Sequence, residues 1–109
     1  QREKASTWLS DHPNVKAVPG FESKAKELGW AEGLRYYYYF TQAKALHLLP
    51  KEEAQRRSAA LVALLLAEQR SDGSFQNDQP RMFEDDPVLA TSLALVALAE
   101  ATRIRAASD

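Results

Sequence analysis

The sequence predicts an all-α protein, and three features of the pattern support this fold class. Apolar residues recur at helical spacing in four segments, at about 2–10, 34–49, 51–70 and 87–105. Helix-ending prolines or turn residues separate these segments. No segment alternates apolar and polar residues as a half-buried strand does. The aromatic run Tyr36–Phe40 is compatible with a buried strand, but its continuation into Gln42–Leu46 favours a helix.

The first two helices are predicted from their breakers. Residues 2–10 carry Trp8 and Leu9 and end at the turn sequence Asp11-His12-Pro13. Residues 34–49 have apolar or aromatic side chains on every side of the helix, and Pro50 ends them.

The last two helices differ in polarity. Residues 51–70 begin with a polar turn and become strongly apolar later, which is typical of an outer position. Residues 87–105 are apolar all round, with Asp86 as the candidate N-cap and Pro87 at the first helical position. Their last turn carries Arg103 and Arg105, which suit the negative end of the helix dipole.

Two helices that are apolar on all sides indicate missing packing partners. Such helices belong inside large helical assemblies. Two irregular stretches, Asp11–Gly33 and Ser71–Asp85, are also long for a compact small domain. We therefore expect this chain to be part of a larger ring of helices, or a subunit of one.

Composition excludes some classes of site. Lys and Arg total 14 against 15 Asp and Glu, for a net charge of -1, so we expect no dedicated nucleic-acid surface. The absence of cysteine excludes disulfides and thiolate metal sites and leaves the cellular compartment open. The apolar runs Ala59–Ala67 and Val88–Ala99 are shorter than the ~20 residues of a membrane span, so we predict no transmembrane segment.

Three segments carry a resemblance to a known superfamily. An apolar helix is followed by the turn Gln69-Arg70-Ser71-Asp72-Gly73-Ser74-Phe75. The structural residues of this turn are Gln69, Asp72, Gly73 and Phe75. We expect Gly73 to have a positive φ and Phe75 to fill the gap between helices. The segments Gly33–Leu46 and Glu84–Leu95 complete the pattern. In this order they resemble the repeats of the terpenoid-cyclase and protein-prenyltransferase superfamily, and in particular squalene–hopene-cyclase-like proteins. Phe75 stands where the family pattern has Trp.

The resemblance implies a fold and a range of functions. It implies one domain, residues 1–109, that is the C-terminal part of an α/α toroid built from outer and inner helix pairs. Other segments of the same protein, or other copies, would complete the ring. Members include cyclases, prenyltransferase subunits and noncatalytic relatives, so the fold does not decide whether the protein is an enzyme.

The resemblance also suggests a ligand cavity for an apolar, isoprenoid-like molecule. Its candidate residues are Tyr36, Tyr37, Tyr39, Phe40, Asp85 and Asp86. Core packing is the alternative for the aromatic residues. For the acidic residues the alternative is that Asp86 caps the last helix while Glu84 and Asp85 complement its dipole. The family's catalytic Asp-x-Asp-Asp motif is not matched by Glu84-Asp85-Asp86, so we predict no catalytic residue in this chain.

We predict no metal or cofactor. The prenyltransferase zinc site needs a cysteine, which the chain lacks. His12 and His47 lack metal-ligand spacing and are expected at the surface. The acidic residues between Ser71 and Asp86 do not have the spacing of a calcium loop, and we expect a solvated acidic loop there.

Three functional hypotheses follow from the sequence. The first is part of a squalene-cyclase-like toroid that binds or transforms an apolar ligand. The second is a noncatalytic helical-repeat module that mediates protein contacts. The third is a small four-helix protein that assembles as an oligomer.

Overall fold

The computed structural model describes residues 1–13, 15–16 and 30–106, and it has the predicted all-α architecture. No strand occurs in these residues. The helices are α1 (Arg2–Ser10), α2 (Trp30–Gly33), α3 (Arg35–Ala45), α4 (Lys51–Glu68) and α5 (Pro87–Ala106), with 3-10 turns at Leu46–Leu48 and Pro80–Met82. All four predicted helices are present, and the 3-10 turn after α3 continues the predicted segment to Leu48. Most of the predicted irregular stretch Asp11–Gly33 lies outside the described residues.

The core forms where α5 packs against α3 and α4. One edge of α5 is made of alanines at helical spacing, and all of them are fully buried: Ala90, Ala94, Ala97 and Ala101. Small side chains let the neighbouring helices approach closely, and larger residues of those helices fill the space between them. The largest buried apolar side chains are Tyr36, Tyr39, Leu46, Leu61, Leu65 and Phe75.

The opposite face of α5 is apolar and exposed. Val88 is 74% exposed and Leu95 is 51% exposed, and Leu89 and Val96 are exposed beside them. Among the described residues, the expected burial of this helix on all sides is therefore not met. An exposed apolar face of this kind is suited to contact with another molecule or segment.

The first helix is attached to the body by polar contacts. Arg57, which is buried, donates to the carbonyl of Leu9 at 2.6 Å and pairs with Glu53 at 3.0 Å. The hydroxyl of Ser10 donates to Glu53 at 2.7 Å, and that of Ser6 donates to the Leu48 carbonyl at 2.7 Å. A cation at the end of α1 satisfies carbonyls that have no helical partner. The polar start of α4 thus carries a buried arginine as well as solvated residues.

Candidate functional site

The turn after α4 has the predicted geometry. Gly73 has a φ of +90°, a region that glycine occupies without strain. Its N–H donates to the Arg70 carbonyl at 2.8 Å, and the Arg70 N–H donates to the Ser74 carbonyl at 2.9 Å. The side-chain amide of Gln69 donates to the Gly73 carbonyl at 2.9 Å. Gly73 thus has the positive φ that the sequence predicts, and the Gln69 side chain closes the turn.

Asp72 and Phe75 complete the turn. The Asp72 carboxylate accepts from the Ser74 hydroxyl at 2.6 Å and from the Ser74 N–H at 2.9 Å, and these bonds lower the pKa of Asp72. Phe75 is fully buried, as predicted, and its ring meets Tyr36 edge-on at 5.7 Å. Its backbone N–H donates to the Thr91 hydroxyl at 2.9 Å, which fixes the turn to α5.

Two of the four tyrosines of α3 belong to the core. Tyr36 and Tyr39 are buried, and their rings meet edge-to-face at 5.5 Å. The Tyr39 hydroxyl donates to Glu68 at 3.2 Å. Burial, together with the negative charge of Glu68, raises the pKa of Tyr36 to about 12 and also raises the pKa of Tyr39. These two hydroxyls therefore stay protonated at neutral pH.

The other aromatic residues of the predicted cavity point elsewhere. Tyr37 is 53% exposed, and Phe40 is half-buried with its ring 6.4 Å from that of Tyr37. Residues three apart share a helix face, so Tyr37 and Phe40 lie on one face and Tyr36 and Tyr39 on another. The predicted aromatic set is thus divided between the core and a surface.

Asp86 is the N-cap of α5, as the capping alternative predicted. Its carboxylate accepts from the Val88 N–H at 2.9 Å, and its carbonyl accepts from the Ala90 N–H at 3.1 Å. Asp85 is exposed, and its carbonyl accepts from the side-chain amide of Gln76 at 2.8 Å. The six candidate residues thus lie in three separate places: the core, another face of α3 and the start of α5. Their proposed role in a ligand cavity stays a prediction.

Glu84 has a role that the sequence analysis missed. We expected it in a solvated acidic loop, complementing the dipole of α5, and that expectation is wrong. Its side chain is only 1% exposed, and it accepts from the N–H groups of Tyr36 at 2.8 Å and Tyr37 at 2.9 Å. These are first-turn N–H groups of α3, which have no partner within their own helix. Glu84 therefore caps α3, not α5.

Asn77 supports this contact. It is buried, and its side-chain amide donates to Glu84 at 3.1 Å and to the carbonyl of Glu32. Its backbone N–H donates to the Glu84 carbonyl at 3.0 Å. One signal in the sequence could have indicated an external cap: Leu34 stands at the N-cap position of α3 and has no side-chain acceptor.

A crevice of about 180 Å³ opens beside this cap, and it is the candidate binding site. Apolar side chains make up most of its wall, and Glu84 is the charged residue. The lining residues are Leu34, Tyr37, Met82, Glu84, Leu89 and Leu93. The loop that carries Met82 approaches α2 closely at Gly33, the last residue of that helix. A Cβ atom added to Gly33 would lie only 3.3 Å from Cγ of Gln79. This arrangement is suited to binding an apolar group next to one polar contact.

The described residues contain no cluster of His, Asp and Glu suited to holding a metal ion. His47 is exposed, as predicted, whereas His12 is half-buried and stacks on Trp8 at 3.8 Å.

One described helix, α5, is long and apolar enough to cross a membrane when judged by length and composition alone. Core helices of soluble proteins meet the same criterion, and the buried alanine edge of α5 gives it a packing role in this fold. The absence of a transmembrane segment stays a prediction.

A scan against protein-family models, a search of curated proteins and a search of solved structures each find no match to this chain. The resemblance to the toroid superfamily therefore rests on the three sequence segments alone.

Proposed function

We propose that this chain is a helical-repeat segment of an α/α toroid, of the squalene-cyclase and prenyltransferase type, that contributes one wall of an apolar ligand-binding cavity. The observation that carries the proposal is the exposed apolar face of α5, with Val88, Leu95 and Val96, beside the crevice lined by Leu89 and Leu93. In this proposal other segments of the same protein, or other copies, complete the cavity.

The hydrogen bonds that hold this wall in place support the proposal. The turn at Gly73 and the Thr91 contact fix one end of α5, and Glu84 fixes the preceding loop to α3. Ligand sites are usually formed before the ligand binds, on elements that cannot shift easily. The chain thus supplies a preformed surface rather than a loop that must fold around its ligand.

We propose that this chain binds a ligand and does not catalyse a reaction by itself. Glu84 is the carboxylate of the crevice, and it already accepts three hydrogen bonds from N–H donors. A general acid must instead hold a proton and release it to the substrate. Any chemical step of the complete protein therefore depends on residues that other segments bring to the cavity.

The size of the crevice supports a second candidate function. Ligand pockets usually enclose about 300–1,000 Å³, so a crevice of about 180 Å³ accommodates only part of a larger molecule. The same apolar surface is suited to a noncatalytic module that packs against another protein. In that case a free isoprenoid alcohol would have no measurable affinity for the crevice.

The proposal is tested with geraniol, a short isoprenoid alcohol, by calorimetric titration of the 109-residue chain. We expect one saturable site. We expect Leu93→Gln to weaken binding at least ~10-fold, because bound geraniol would cover the amide and an amide buried without a partner costs about 1–3 kcal/mol. Leu66→Gln is the matched control, since Leu66 is an exposed leucine of α4 that does not line the crevice. Equal affinity of the wild type and both variants would refute the crevice as the site, and absence of binding would favour the second function.

A further inference from the structure

Among the residues that the structure describes, the groups that hydrogen-bond to the Glu84 carboxylate are all neutral. They are two backbone N–H groups and the Asn77 amide. A buried charge is normally paired with an opposite charge, since leaving water is costly for an ion.

The Glu84 carboxylate also has unused acceptor capacity. A carboxylate offers about four lone-pair positions, and the three bonds to Glu84 occupy three of them. Oε1 accepts from Tyr36 and Asn77, whereas Oε2 accepts from Tyr37 alone. The remaining position is therefore on Oε2, in a residue that lines the crevice.

The walls of the crevice favour a hydrocarbon chain as the remainder of the ligand. The apolar lining consists of Leu34, Met82, Leu89 and Leu93. A crevice of about 180 Å³ holds a short chain but not a bulky polar molecule. A cationic donor attached to such a chain would contact Glu84 while its hydrocarbon part contacts the leucines. An anionic head group would instead be repelled by the buried carboxylate.

From this complementarity we propose that the crevice binds a hydrocarbon chain that carries a primary ammonium group, with Glu84 as the residue that selects the cation. This inference rests on the proposed function and adds to it the chemical class of the ligand. An ammonium group supplies three N–H donors and a full positive charge. One donor completes the coordination of Oε2, and the charge balances the buried carboxylate.

The test compares three ligands with one carbon skeleton: geranylamine, geraniol and geranic acid, titrated into the 109-residue chain at pH 7. We expect geranylamine to bind at least ~10-fold more tightly than geraniol, and geranic acid to bind most weakly. Binding of all three with equal affinity would overturn the inference while leaving the proposed function intact. Failure of geraniol and geranylamine to bind at all would overturn both.

Two variants assign the preference to a residue. We expect Glu84→Gln to reduce the preference for geranylamine to less than ~3-fold, because the shape is kept and the charge is lost. Asp78→Asn is the control, since Asp78 is an exposed acid of the same loop, and it should keep the full preference. Preference retained in Glu84→Gln, or lost in Asp78→Asn, contradicts the role of Glu84.

A third measurement does not depend on the stability of the variants. Tyr36 and Tyr37 donate their amide N–H groups to Glu84, so these amide resonances report on the carboxylate in the wild-type chain. We expect geranylamine to shift both resonances more than geraniol does. Equal shifts with the two ligands would show that the ammonium group does not reach Glu84.

Discussion

Replacing Glu84 with Ala tests the cap on α3, which holds the loop and the crevice in place. The substitution removes hydrogen bonds from Tyr36, Tyr37 and Asn77 to a charged acceptor. Bonds of this kind contribute about 1.5–3 kcal/mol each, so the three together set an upper range of about 4.5–9 kcal/mol. Water that enters through the crevice will satisfy some of these donors. We therefore expect a loss of about 3–5 kcal/mol in the free energy of unfolding.

The assay is urea unfolding followed by far-ultraviolet circular dichroism, together with amide hydrogen exchange. In Glu84→Ala the N–H groups of Tyr36 and Tyr37 should lose protection before the rest of α3 does, because their acceptor is gone. Asp85→Ala is the matched control and should change stability by less than about 0.5 kcal/mol, since Asp85 is exposed. A loss below about 1 kcal/mol in Glu84→Ala, equal to that of a surface cap, would refute the reasoning.

Three further substitutions test the turn and the core. Phe75→Ala should cost about 3–5 kcal/mol in a urea titration because the ring is fully buried. Phe83→Ala, at an exposed ring, should cost less than about 0.5 kcal/mol. Similar costs for the two variants would contradict the role of Phe75 in filling the gap between helices. Gly73→Ala should cost about 1 kcal/mol or more in the same assay because φ is +90°, and an unchanged midpoint would mean the turn has another conformation. The raised pKa of Tyr36 means that the unfolded chain releases this proton first as the pH rises, so stability should fall between pH 10 and about pH 12. Tyr36→Phe should lose part of that fall, up to about 3 kcal/mol, and an identical pH profile would contradict the shift.

The helices could be predicted from sequence because local residues determine their ends. Pro50 separates the second and third predicted helices, and Asp86 with Pro87 begins the last one. The turn at Asp72 and Gly73 was predictable for the same reason, since its hydrogen bonds join residues close in sequence. Local chemistry of this kind does not depend on what the rest of the chain does.

The cap on α3 could not be predicted in the same way. Glu84 and Tyr36 are 48 residues apart, and no local pattern pairs them. The same limit applies to Arg57, whose buried contact with α1 crosses 48 residues. Long-range polar contacts depend on tertiary packing, so the sequence pattern associated Glu84 with the dipole of α5 and did not predict its contact with the start of α3.

The candidate site was only partly predictable. A run of aromatic residues on one helix indicates apolar surroundings, but successive side chains point in different directions. Of the six predicted cavity residues, Tyr37 lines the crevice, whereas Tyr36 and Tyr39 are in the core. Helical periodicity also failed to distinguish the two faces of α5, because its buried edge is made of alanines and its exposed face carries the larger apolar residues.

Chemical-shift mapping of geraniol on the nitrogen-15-labelled chain tests the central claim most directly. We predict saturable shifts concentrated at the amides of Tyr37, Met82, Leu89 and Leu93, because these residues line the crevice. Shifts spread evenly over the chain, or concentrated on the far side of α4, would contradict the claim that this surface is a binding wall.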